Sequence, residues 1–241
     1  MPRGKYPRRG KKRGPYRKRG RGRAMAYSKP RLPPVVYGIP TSQLVRMTFA
    51  TQIRLNPTGP GLPAFHVFQA NSIHKPDYTS ISPAYHQPMY HDQYEALYAN
   101  YKVIGSKISI TGANDYSDQS NSMGNLVACQ LTNEPSTSLS RYSDVIESKG
   151  TRYRQCQEKR PFKLISTYSA RKFHAIQDVK DAIELQGILG NITTGTNPAQ
   201  PAYYVLSAHP LFYGQDSYPA CLNIRIDYLA LVYNHKRVSG S

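Results

Sequence analysis

The residues whose types and spacing could do chemistry crowd the start of this chain. Arg3, Lys5, Arg8, Arg9, Lys11, Lys12, Arg13, Arg17, Lys18, Arg19, Arg21 and Arg23 stand among Gly and Pro, with Tyr6 and Tyr16 between them. Guanidinium groups fork onto phosphate oxygens, ammonium groups act as compact point charges, and tyrosine rings give unpaired bases a face to stack on. The pattern suits a flexible polyanion such as a nucleic-acid single strand, and phosphate contacts of this kind read no base sequence. The runs Arg8-Arg9-Gly10-Lys11-Lys12-Arg13 and Arg17-Lys18-Arg19 also fit a nuclear import signal. Residues 1–32 hold 14 basic side chains and no acid, and the first carboxylate is Asp77. The chain as a whole has 32 Lys and Arg against 14 Asp and Glu, a net of +18, so the other 209 residues carry 18 against 14, a net of +4. Residues 1–34 show no apolar periodicity and cannot bury enough surface to offset their ordering entropy. They are expected to be disordered until a counter-charge arrives.

Other chemistry is sparse. No G-x-S-x-G elbow, local Cys/His signature, P-loop or dinucleotide fingerprint occurs, so neither an enzyme nor a cofactor is expected. His86 and His91 lie near Asp92, but in a loop-like context and at no established ligand spacing, so no metal site is expected. Cys129, Cys156 and Cys221 are odd in number and lack C-x-x-C spacing, which reads as buried thiols in a reducing compartment. Gly59-Pro60-Gly61 reads as a turn. The sequon Asn191-Ile192-Thr193 is expected to stay unmodified, because no apolar h-region follows the basic N-terminus. The strongest apolar run, residues 228–233, is too short to cross a bilayer, and no membrane insertion is expected.

After Pro33-Pro34 the pattern becomes one of alternating runs, with 39% of the chain hydrophobic. In residues 45–55 the odd positions are Val45, Met47, Phe49, Thr51, Ile53 and Leu55, against Arg46, Thr48, Gln52 and Arg54. Such a period of two makes a strand with one buried face. It recurs at Ile104, Ile108 and Ile110 against Lys107 and Ser109, at Phe162 and Leu164 against Lys163, and at Leu222, Ile224 and Ile226 against Asn223, Arg225 and Asp227. Residues 64–70, 126–131 and 202–209 are further strands, and residues 228–233, apolar on both faces, suit a central strand. Seven or eight strands with long polar connections describe an antiparallel sandwich or barrel. Asp92-Gln93-Tyr94-Glu95 has the form of a capping box, and Tyr94, Leu97, Tyr98 and Tyr101 follow at helical spacing, predicting an amphipathic helix. Residues 144–147 and 178–185 could add helical turns. The chain has 20 Tyr and no Trp. Tyrosine suits both cores and surfaces buried against other subunits, the core being the commoner fate.

Three stretches resemble the capsid proteins of circoviruses and related circular single-stranded DNA viruses that encode a replication initiator. They are residues 91–107, with His91-Asp92-Gln93-Tyr94-Glu95 leading into Lys102-Val103-Ile104-Gly105; residues 169–181, with Ala170-Arg171-Lys172-Phe173-His174; and Ile226-Asp227-Tyr228 in the last strand. Asn197-Pro198 fits as well. The resemblance implies an all-β fold, a single eight-stranded jelly roll over residues 35–241 with short helices in its loops, behind an arm of residues 1–34. It implies a T=1 shell of sixty copies whose arms face a single-stranded DNA genome, with RNA as cargo in recombinant particles. A host import receptor and a cell-surface attachment factor would be further partners, with the virion and the host nucleus as locations. Attachment is expected in outward loops such as residues 71–88 or 112–123. The alternative class is a monomeric nucleic-acid-binding protein of ribosomal or nucleolar type, whose basic surface should continue onto its folded body.

Overall fold

Alternation in the sequence becomes pairing in space. A computed structural model describes residues 39–57, 61–80, 86–115, 124–135, 139, 141–156, 161–176, 189–212 and 217–236, which all belong to one unit, residues 38–241. Among the described residues, nine strands and three short helices follow in the order β1 (Ser42–Leu55), β2 (Ala64–Gln69), α1 (His91–Leu97), β3 (Tyr98–Asn114), β4 (Asn125–Thr132), α2 (Tyr142–Glu147), β5 (Arg152–Cys156), β6 (Phe162–Ser169), α3 (Ala170–Phe173), β7 (Leu189–Asn191), β8 (Tyr203–Pro210) and β9 (Ala220–His235). One antiparallel sheet has the order β1-β9-β3-β6, with β7 added to β3, and the other has the order β2-β8-β4-β5. Eight strands alternating between two four-stranded layers in this order form a jelly roll, with β7 as a small addition.

The layers meet on their apolar faces. Val45, Met47 and Phe49 of β1, Ile108 and Ile110 of β3, and Leu222, Ile224 and Ile226 of β9 pack against Phe68, Val127, Tyr204 and Leu206 of the second sheet. Buried polar groups join the layers as well. Ser106 of β3 donates to the carbonyl of Ala70 at 2.6 Å, and the Tyr204 hydroxyl donates to the Ser106 carbonyl at 3.0 Å. Tyr228 of β9 reaches across to the carbonyl of Gln69 at 2.7 Å, and Asn114 donates to the carbonyl of Cys156 at 3.0 Å. Each gives a main-chain carbonyl in the interior a side-chain donor.

The seven strands expected from alternation are present, and β9 is central between β1 and β3. Four expectations need correction. Ile104 is only partly buried, because β3 carries one residue more than β9 between Val103 and Gly105. This β-bulge exchanges the two faces of the strand: Tyr101 and Val103 point inward before it, Ser106, Ile108 and Ile110 after it. The helix over residues 92–101 stops at Leu97, and Tyr98 and Tyr101 belong to β3. Its cap is Tyr90 in the left-handed region (φ 73°) rather than Asp92, which sits in the first turn. Strand pairing of Tyr98 with His235 outweighs one further helical turn there. The loop over 71–88 is partly internal, with Asn71, Ser72 and Ile73 buried, and residues 112–114 belong to β3. Cys221 is exposed on β9, whereas Cys129 and Cys156 are buried, and all three are free thiols.

Alternation did not mark β5, whose residues are exposed except for Cys156. Nor did it mark β7, whose Gly190 lies so close to the Tyr101 ring that a β-carbon would overlap it. The 144–147 helix appears as α2, and residues 178–185, 58–60 and the basic segment 1–34 lie outside the described residues.

The buried ties make a quantitative prediction. Ser106→Ala leaves the Ala70 carbonyl without its side-chain donor, and should cost about 1–3 kcal/mol, read as a lower urea midpoint for the full chain. An unchanged midpoint would mean that apolar packing alone holds the sheets in register.

Candidate nucleic-acid interface

The twelve basic residues that the sequence singles out, from Arg3 to Arg23, all fall outside the described residues. What the structure adds is the character of the folded body's surface, and its two sheets differ sharply. The β2-β8-β4-β5 sheet is covered on its outer side by its own connections: Leu139, Val145 of α2 and Leu211 pack on Leu126 and Ala128. Every residue of β8 is buried. Among the described residues, the outer face of the β1-β9-β3-β6 sheet has no such cover, and Thr48, Gln52, Lys107, Thr111, Lys163, Asn223 and Arg225 are exposed on it.

Pairing register places the side chains of that bare face in rows. Thr48, Asp227, Lys107 and Thr167 are neighbours across the four strands, followed by Ala50, Arg225, Ser109 and Ile165, and then by Gln52, Asn223, Thr111 and Lys163. A groove of about 690 Å³ runs over these rows. Its one carboxylate is already engaged: the Asp227 carboxylate accepts from Arg225 Nη2 at 2.9 Å and Nε at 3.0 Å and from the Thr48 hydroxyl at 2.8 Å. Nearby, Arg54 pairs with Asp115 at 3.2 Å. That carboxylate also helps burial push the Cys221 thiol above its ordinary pKa, against the opposing effect of Arg54. The thiols of Cys129 and Cys156 are pushed by burial to about 12 and about 11.

The histidines are scattered. The His86 ring stacks on Phe49 at 4.6 Å and contacts the Ala50 carbonyl at 3.1 Å, beside the edge of β1. His91 is buried beside Asp92 and Glu95, and one ligand-type atom from each of the three lies within 4.8 Å of the others. Asp92 is 84% exposed and holds the ring at 3.4 Å, a local hydrogen bond to an imidazole whose pKa burial lowers. His86 and His91 therefore do not share a site. His66 and Asp77, joined at 2.9 Å, pin the connection after β2, where Asp77 also accepts the Ser80 amide at 2.9 Å. No helix among the described residues is long and apolar enough to cross a membrane.

Tyrosine divides between core and surface. Tyr98, Tyr101, Tyr204 and Tyr228 are fully buried, whereas Tyr78, Tyr90, Tyr142 and Tyr153 are exposed. Met89 and Tyr90, adjacent in the strained turn before α1, are 70% and 60% exposed, and Leu62 and Phe212 project from other connections.

His209, on the outer side of β8, lines a 460 Å³ cavity with Tyr142, Leu211 and Phe212. Burial lowers its pKa to about 4, with Asp144 opposing, and burial also lowers His74, His91 and His174. The folded state thus holds a neutral ring at a pH where the unfolded chain, with an ordinary value of 6.5, already takes up a proton. The stability this contributes is present above about pH 6.5 and is lost as pH falls towards about 4. The thermal midpoint of the chain should therefore fall across that window, and less steeply in His209→Asn. An equal fall in the variant would place the acid sensitivity elsewhere.

No protein-family model matches the sequence, and no curated protein matches it. Among solved structures the chain is similar to the decameric BFDV capsid protein, at 11% identity over 80% of this chain and 99% of that one, with a TM-score of 0.42. It is similar to the same capsid protein as a 60-mer, at 12% identity over 84% and 100% with a TM-score of 0.38. The mud crab tombus-like virus structure is similar at 7% identity over 84% and 94%, with a TM-score of 0.45.

Proposed function

We propose that this chain is the capsid protein of a circovirus-like virus, assembling as sixty copies into a T=1 shell and packaging a circular single-stranded DNA genome through residues 1–34. The observation that carries this reading is the segregation of charge. Fourteen cations and no acid occupy the first 32 residues, while the rest of the chain, net +4, is close to neutral. A long-lived assembly of many copies needs bodies that do not repel one another, and a polyanionic cargo needs a dense source of positive charge. One chain meets both demands by keeping them apart in sequence.

Three further features support the reading. The sequence stretches that resemble circovirus capsid proteins fall on α1 and the first half of β3, on α3, and on β9, within a jelly-roll body. Met89, Tyr90, Leu62 and Phe212 offer exposed apolar contacts of the kind that copies bury against each other. Sixty arms would gather about 840 positive charges, whose condensation on phosphates releases counterions and favours packaging. On this reading Arg8 to Arg13 and Arg17 to Arg19 also serve an import receptor, which takes the chain to the nucleus for assembly, and exposed connections meet an attachment factor on the host cell.

Negative-stain electron microscopy of the purified full chain, at low and moderate salt, tests the assembly. Uniform closed shells are expected. Monomers or small oligomers under every condition, including added single-stranded DNA, would overturn the reading in favour of a monomeric nucleic-acid-binding protein. Deleting residues 1–34 should leave the thermal midpoint of the body within a few degrees of the full chain while abolishing retention of nucleic acid, read as the ratio of absorbance at nucleic-acid and protein wavelengths. A body that no longer folds would contradict the two-part organisation.

A further inference from the structure

The bare face of the β1-β9-β3-β6 sheet has a distribution of charge that its net value conceals. Asp227 is neutralised by Arg225 and bridged to Thr48. Lys107 and Lys163, both exposed, take part in no ion pair of the described residues. Lys107 stands beside Asp227 in the register, yet the carboxylate is turned to Arg225. Lys163 stands beside Thr111, one strand over and four residues along. At about 3.3 Å per residue and 4.8 Å between strands, the two ammonium stems rise roughly 14 Å apart. The floor between them is small, polar and neutral: Ser109, Thr111 and Asn223.

We infer that this groove is a second docking surface for single-stranded DNA, taking its sugar-phosphate backbone on Lys107 and Lys163 while Ser109, Thr111 and Asn223 offer neutral hydrogen bonds. The inference rests on the packaging function proposed above and adds a contact on the folded body to that of the arm. Charge complementarity selects the occupant. Two cations that pair with no described carboxylate, over small hydrogen-bonding side chains, fit a chain of phosphates, and the described lining offers no aromatic ring on which a base could stack, so the backbone is what it would hold. A protein partner fits less well, because lysine is depleted from the buried centres of protein interfaces, and the exposed aromatic side chains of the described residues, Phe65, Tyr78, Tyr90, Tyr142, Tyr153 and Phe212, all lie off this sheet.

The test uses the full chain and a fluorescent oligothymidylate, with affinity followed across a salt series. Three variants are compared with the unmodified chain: Lys107→Ser with Lys163→Thr, the charge-preserving Lys107→Arg with Lys163→Arg, and an arm variant with Arg8, Arg9, Lys11, Lys12 and Arg13 each changed to Gln. Removing two phosphate contacts should make the slope of log affinity against log salt shallower by about 1.4, with the arginine pair retaining the original slope and both groove variants keeping the original thermal midpoint. An unchanged slope in the folded Ser/Thr variant overturns the groove while leaving the arm intact. If the unmodified chain and the arm variant show the same slope, it is the arm reading that fails. Equal losses in the arginine and Ser/Thr pairs would mean a structural rather than electrostatic role, and overturn the inference. So would defective shells on electron micrographs with DNA binding unchanged, which would make this face a contact between copies. An effect confined to an oligouridylate of the same length, with none on the DNA, would overturn it too.

Discussion

One extra residue in β3 sets both faces of the larger sheet. Opposite β9, Val103 pairs with Ala230 and Gly105 with Leu229, so Ile104 has no counterpart. Side chains alternate along a strand, and without the bulge the inward set that begins with Tyr101 and Val103 would continue through 105, 107 and 109. That would turn Lys107 towards the core and Ile108 and Ile110 towards water, a cost in desolvated charge and exposed apolar area that no local adjustment could offset. With the bulge, Ser106 enters the interior to meet Ala70 and Tyr204, and Lys107 faces outward with Ser109 and Thr111. The core seam and the polar groove are two consequences of the same inserted residue.

Once β3 is in that register, the interior can hold hydroxyls without strain. Two of the buried tyrosines span from one sheet to the other and end on a main-chain carbonyl, so each contributes ring packing and a fixed partner. Tyr228 does this for Gln69 and Tyr204 for Ser106. Tyr101 meets Ser72 at 3.0 Å, and Ser72 donates to Asn197 at 2.7 Å, which ties the long connection after β2 to the segment before β8. A purely aliphatic seam would fill the volume but would remove these side-chain donors from the main-chain carbonyls they meet. The abundance of tyrosine is thus in part a property of how the two sheets are joined.

The strands that were legible in the sequence are those with one wet face: residues 45–55, 162–164 and 222–227 show the alternation that their burial confirms. β5 was not legible, because Arg152, Tyr153, Arg154 and Gln155 are all exposed and leave no contrast between faces. The bulge was hidden for a related reason. Ile104, Ile108 and Ile110 keep an even spacing that mimics one uninterrupted face, and only the pairing partner on β9 reveals the extra residue. α1 was overextended because Tyr98 and Tyr101 satisfy helical spacing locally, while their partners in the sheet, His235 and Val232, lie more than a hundred residues away. The basic segment was legible at once, being contiguous. The groove was not, since Lys107, Lys163 and Arg225 come from three strands whose adjacency is a fact of topology.

The same contrast decides how a nearly neutral body could hold the polyanion proposed as its cargo. Averaged over the folded part, four excess charges are too few to draw a nucleic acid from a distance, and the contiguous arm is the element able to do so. At close range the average ceases to matter. A carboxylate already bound to Arg225 and Thr48 no longer offsets a lysine on the next strand, so a surface with balanced totals presents uncompensated cations where the pairing is unequal. On the proposed reading, low net charge keeps neighbouring copies from repelling one another, while Lys107 and Lys163, which pair with no carboxylate among the described residues, face the phosphates that the arm would bring near. Long-range capture and short-range seating are different electrostatic problems, and the proposed function assigns one to a contiguous stretch of sequence and the other to the register of the sheet.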